Sequence, residues 1–311
     1  MKSSKITFII LAIALIALPL HAFQNYYEKR NNCNKFKDVV VFGNSFSDTG
    51  NAYKLTKNKY PPSPPYFHGR LSNGPVWPDY FVSIIKANLH SYAFGGASCD
   101  STLVPSFVGP NKIPVPGLVQ QVDDFISKDI KKFNLEETLF VFATIFLDYD
   151  QTLGQGDPAK IVASVGQRLE NLYKAGAMNI MFFTSMPTGI FTPGELANFS
   201  PDVLKAISEK SALHNQYTDS ALAAFKKDHP NVNLFLVKFD EVLSTAFSPV
   251  TLQKLGITVF DIACIPDNGF AGKHSVVCDD PKKYLYFDNN TAINTKVIEE
   301  AAKKIVTYLT V

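Results

Sequence analysis

The sequence predicts an α/β fold in which a parallel sheet is covered on both faces by helices. Short β-branched and aromatic runs alternate with longer stretches of helical periodicity, a pattern that builds parallel strands joined by helical crossovers. A Gly-Asn-Ser turn, Gly43-Asn44-Ser45, directly follows the first such run. That places it at the carboxyl edge, where sheets of this kind bind ligands.

Five runs read as buried strands: Asp38–Phe42, His90–Phe94, Leu139–Thr144, Ile180–Thr184 and Leu234–Phe239. Four stretches read as helices: Leu118–Ile130, Ile161–Ala175, Pro201–Lys227 and Thr291–Leu309. In the last, Ile293, Val297, Ala301, Ile305 and Leu309 recur every four residues, the spacing of a buried stripe. The proline-rich segment from Tyr60 to Pro75 excludes a regular helix or central strand. It is expected to cross the upper edge of the sheet as a loop and lead into a helix from Pro78. Trp77, at that junction, is expected to pack in the core.

The chain opens with Lys2 and Lys5, then an apolar run from Ile6 to Leu20, then His21-Ala22. That order marks a secretory signal peptide, and the run is short for a membrane anchor. Residues 1–22 are therefore expected to be removed, leaving 23–311 as one secreted domain with no membrane span, a monomer. Loss of the two lysines brings the formal charge of +2 to zero. A neutral chain without a basic cluster argues against nucleic acid as a partner. Of the four cysteines, Cys264 and Cys278 bracket a loop rich in Pro, Asn, Gly and Asp and are read as a disulfide; Cys33–Cys99 follows by elimination. A metal site is the alternative, but no CxxC or CxH spacing supports one, and no cofactor is expected.

A serine between a buried strand and a helix can stand above the sheet near amides that stabilise an oxyanion. A plain helix-capping serine would look the same. The context decides. Ser47-Asp48-Thr49-Gly50-Asn51, Gly69-Arg70-Leu71-Ser72-Asn73-Gly74-Pro75, Tyr92-Ala93-Phe94-Gly95-Gly96 and Tyr286-Phe287-Asp288 follow one another in order. Together these blocks resemble the GDSL, or SGNH, family of esterases and lipases, most closely its exported acylhydrolases and carbohydrate acetylesterases. The resemblance runs from about Asp38 to the C-terminus. It implies a three-layer α/β/α sandwich of flavodoxin-like type with a central sheet of about five strands. It also implies that Ser45 is the nucleophile, that Ser45 and Gly96 (or else Gly95) supply oxyanion-hole amides, and that Asp288 orients the base. Asp288 could otherwise be an acid at the start of the last helix.

Four positions depart from the family pattern. Asn44 stands where an acid usually precedes the serine. Ile145 replaces a glycine, and Leu147 replaces the asparagine whose amide would donate to the oxyanion. Thr291 stands where the family carries its histidine base. Loss of one oxyanion donor typically costs about 10²–10³ in turnover, and loss of a triad histidine on the order of 10⁶. The expected function is therefore that of a pseudo-hydrolase with a site for an acyl or sugar ester. The alternative is an active esterase, cleaving acetylated carbohydrate or short acyl esters with His68 or His274 as an unconventional base. A partner-binding surface protein is a third reading. Asn289-Asn290-Thr291 and Asn198-Phe199-Ser200 are glycan acceptor sequences, the second weakened by Pro201.

Overall fold

The computed structural model describes residues 35–143, 147–185, 199–266, 277–289 and 292–310. The expected signal segment, Cys33, Ile145, Asn198, His274 and Thr291 lie outside the described residues, as does the side chain of Leu147.

The chain runs through β1 (Asp38–Gly43), α1 (Asn51–Leu55), α2 (Trp77–Ile85), β2 (Asn88–Ser91), β3 (Phe107–Val108), β4 (Ile113–Pro114) and α3 (Leu118–Lys128). It continues through β5 (Thr138–Ala143), α4 (Leu147–Asp150), α5 (Pro158–Lys174), β6 (Asn179–Phe183), α6 (Pro201–Asp228) and β7 (Asn233–Val237). The last elements are α7 (Phe239–Ala246), α8 (Pro249–Leu255), β8 (Val259–Ile265), β9 (Tyr284–Asp288) and α9 (Thr295–Val306). The main sheet has the order β2-β1-β5-β6-β7 and is parallel throughout.

The sheet is covered on both faces. Phe182 and Phe183 are neighbours on β6 and so point to opposite sides. Phe183 meets Trp77 of α2 and Phe239 of α7, with ring centroids 4.9 and 5.5 Å away. Phe182 faces α5 and α6. On its side of the sheet, Phe125 of α3 packs edge-on against Phe42 and tilted against Phe140. The result is the expected three-layer sandwich. No helix among the described residues is long and apolar enough to cross a membrane.

The helix starts reflect capping chemistry. Asp157 accepts the Ala159 and Lys160 amides ahead of Pro158 at the start of α5, and Ser200 caps α6 ahead of Pro201. Among the expected boundaries that move, two have a cause visible in the contacts. The strand at His90–Phe94 is instead Asn88–Ser91: Tyr92 and Phe94 N–H still reach Val41 O and Gly43 O, but Gly43 N–H turns to Gln121 Oε1 and gives no return bond to β2. The last helix begins at Thr295, capped by Asn294, and not at Thr291. Ala292 and Ile293 are instead drawn against β9 through Phe287 N–H and the Tyr286–Ile293 bridge.

The pair β8–β9 is a second, small parallel sheet closed by the Cys264–Cys278 disulfide, as expected. The other expected pairing is corrected. Cys99 is a free, buried thiol, packed behind the first turn, where its own amide serves Asp148.

The end of β1 is held by Gln121 of α3. Its Oε1 accepts Gly43 N–H at 2.8 Å, and its Nε2 donates to Gly43 O and Pro116 O. Replacement Gln121→Leu leaves a buried amide without its acceptor. It should lower the unfolding free energy by about 1–3 kcal/mol in urea titrations; an unchanged midpoint would show that the clamp contributes nothing.

Candidate active site

Ser45 sits on a turn built by its neighbours. Ser47 N–H closes onto Asn44 O at 2.9 Å, and Asn44 Oδ1 accepts Phe46 N–H at 3.3 Å. Asparagine thus retains the acceptor that an acid would offer at position 44, without a buried charge. Trp77 is in the core as expected, and it also donates from Nε1 to Ser47 Oγ at 3.0 Å, fastening the turn to α2. Ser45 is buried at 8% exposure. It borders a shallow recess lined by Phe46, Leu71, Val76, Ile293 and Ile298.

Asp48 gathers the amides of the neighbouring loops. Its Oδ1 accepts those of Gly50 and Asn51 (2.7 and 2.6 Å), and its Oδ2 accepts those of Ala52 and Gly95 (3.0 and 2.7 Å). Burial pushes this carboxyl above its ordinary 3.8, and the four amides offset part of that rise. Through Gly95 the carboxylate ties the serine turn to the loop carrying Gly96. Gly96 has φ +81, and a Cβ there would lie 1.9 Å from Phe107 O, so only glycine fits. Gly43 is similarly constrained: a Cβ would approach Ala143 O to 2.8 Å.

Asp148 makes the corresponding tie to α4. Both its oxygens receive Cys99 N–H, at 2.9 and 3.2 Å. Burial raises this carboxyl to about 6 and pushes the Cys99 thiol well above its ordinary value.

Asp288 closes β9 and is fully buried. It accepts the Tyr66 hydroxyl at 2.5 Å and Ala292 N–H at 2.7 Å. The alternative role as a first-turn acid does not apply, because α9 begins seven residues later and has no acid in its first turn. Loop and helix are joined again where Asn73 Oδ1 accepts Thr295 N–H at 2.8 Å.

Among the described residues no imidazole is hydrogen-bonded to Ser45. His90 pairs with Asp38, His214 with Tyr149 and His229 with Glu170. The His68 ring lies edge-on to Phe67, centroids 4.4 Å apart. Asn289 Nδ2, the expected glycan attachment atom, donates to Pro266 O at 3.2 Å.

The structure therefore brings together Ser45, the Gly95-Gly96 loop and the ends of β9 and α9 along one edge. Sequence reasoning missed Gln121, Tyr66, Asp148 and the amide-gathering role of Asp48. Asp48 stood within a family block and Asp148 directly after the aligned position Leu147, which was a signal; Gln121 and Tyr66 offered none beyond their polarity.

A family model described as GDSL-like Lipase/Acylhydrolase matches residues 39–293. The chain belongs to that family. It is 31% identical over 189 residues to a phosphatidylcholine-sterol acyltransferase of Aeromonas hydrophila, covering 58% of this chain and 52% of that protein. It is 27% identical to a thermolabile hemolysin of Vibrio parahaemolyticus, covering 65% and 46% of the two chains. An acetylesterase of Thermothelomyces thermophilus is 27% identical over 69% of this chain and 74% of its own length. The chain spans about half the length of the first two relatives.

The raised Asp148 carboxyl has a measurable consequence. Between about pH 4 and 6 the folded chain keeps a proton that the unfolded chain has released. Stability from this group is therefore present at low pH and lost as pH rises through about 6, by about 3 kcal/mol. His214, pushed down to about 4 by burial, acts in the opposite sense but is common to wild type and Asp148→Asn. Urea unfolding of both should show the wild type losing about 3 kcal/mol relative to the variant between pH 4 and 7. A difference independent of pH would contradict the assignment.

Proposed function

We propose that this chain is an exported, catalytically impaired member of its family, holding a short acyl ester at Ser45 without cleaving it. The observation that carries this reading is the sequence that follows Asp288, the acid buried at the end of β9. Thr291 stands three residues on, where the family places its base. A threonine hydroxyl does not accept a proton near neutral pH, and without a base a serine hydroxyl is a poor nucleophile. Leu147, with no side-chain donor, further weakens oxyanion stabilisation.

The recess itself does not depend on a base. Its lining by Phe46, Leu71, Val76, Ile293 and Ile298 is apolar, which favours the acyl part of an ester over a sugar. Export rests on the charge–apolar–small-residue order of residues 1–22.

Hydrolysis of p-nitrophenyl acetate by the full mature chain should match that of Ser45→Ala. A rate well above this control would overturn the reading. The double replacement Thr291→His with Leu147→Asn should raise hydrolysis by about 10²-fold or more over wild type, and abolition of that gain by Ser45→Ala would tie it to the assigned serine.

A further inference from the structure

The helix layer opposite the Ser45 recess contains a second cavity. It lies between α5 and α6 over β6 and is lined by Val165, Gly166, Leu169, Phe182, His214 and Thr218 among others, with about 380 Å³ of unfilled space including its open mouth. Phe182 points to this side of the sheet. The Ser45 recess, with Val76, Ile293 and Ile298, belongs to the α2–α9 side. The two sites are separate.

Gly166 opens the space. It lies in the middle of α5, where glycine costs about 0.5–1 kcal/mol relative to alanine. No close approach demands it: a Cβ there would meet nothing within 4 Å. The opposing α6 wall, apolar at Ala221, Leu222 and Phe225, carries two polar side chains, His214 and Thr218. Thr218 is 2% exposed, yet its hydroxyl has no hydrogen-bond partner. Such a group ordinarily costs about 1–3 kcal/mol. His214 lies one turn earlier on the same helix face. Its Nδ1 is engaged by Tyr149 Oη at 2.7 Å, and its Nε2 has no partner among the described residues. Burial keeps this ring neutral at neutral pH.

The cavity thus offers two unpaired neutral hydrogen-bonding groups, one turn apart, in an apolar wall. None of its lining residues is cationic, so a carboxylate would enter uncompensated. A hydroxyl both donates and accepts, and it can satisfy Thr218 together with either tautomer of His214. An ester or ketone offers acceptors alone.

We propose that this cavity is a binding site for a short-chain neutral alcohol. Its hydroxyl pairs with Thr218 Oγ1 and His214 Nε2, and its alkyl chain lies against Val165, Leu169 and Phe182.

The test is an NMR titration of the full mature chain with hexanol and, separately, hexanoate at neutral pH. Hexanol should shift the backbone amides of Gly166 and Ala221 and saturate, and hexanoate should bind at least about tenfold more weakly. Gly166→Leu fills the space and should weaken hexanol by about tenfold or more. Thr218→Val has nearly the same shape and no hydroxyl to satisfy; it should fold and bind hexanol about three- to tenfold more weakly. If the leucine variant does not fold, the valine variant decides. The proposal is overturned if hexanol shifts no amide of the α5–α6 face or only those around Ser45. It is equally overturned if hexanoate binds as well as hexanol, or if Thr218→Val binds like wild type.

Discussion

Four backbone amides, from Gly50, Asn51, Ala52 and Gly95, converge on the buried carboxylate of Asp48. Loops at the carboxyl edge of a parallel sheet carry amides that the ladder cannot satisfy, and a buried amide without an acceptor is costly. One side chain answers this for the serine turn, the first helix and the glycine loop together. Asn51 Nδ2 on Ser91 O and Ala93 O, and Ser91 Oγ on Ser47 O, reinforce the same link. The same device recurs where Asp148 takes Cys99 N–H and where Gln121 grips both polar groups of Gly43.

Under the proposed function, these contacts let the edge persist without a base. None of the groups that hold Ser45 in place need take part in proton transfer. Trp77 fastens Ser47, Asn44 closes the turn, and Asp48 spans the loops. Under the proposed function, replacement at positions 147 and 291 costs chemistry but leaves this scaffold intact. Asp288 illustrates the point: with Tyr66 and Ala292 as donors it joins the proline-rich loop to β9, a role independent of hydrolysis.

The two faces of the sheet differ in how their polar groups are treated. Around Ser45 the buried acceptors are matched to amides. Between α5 and α6 the polar groups of Thr218 and His214 meet a gap left by Gly166. Unmatched polarity beside unfilled space is uncommon in a packed core, and it is why that face, not the serine edge, carries the second binding proposal.

The strand runs at Asp38, Leu139, Ile180 and Leu234, and the helices from Leu118 and Pro201, were legible in the sequence. Their β-branched runs, helical periodicity and proline and serine caps act within a few residues of chain. The Cys264–Cys278 bridge was legible for the same reason, as it spans a short turn-rich loop. The family blocks, being contiguous, were also readable, and they marked Ser45, Gly96 and Asp288 as site candidates. Only the folded chain decided which buried polar groups meet. Tyr66 and Asp288 are 222 residues apart, and Gln121 and Gly43 are 78 apart. The tertiary structure also left Cys99 unpaired and moved the start of α9 to Thr295. Local periodicity specifies an element, whereas a hydrogen-bond partner depends on which loops the sheet order brings side by side.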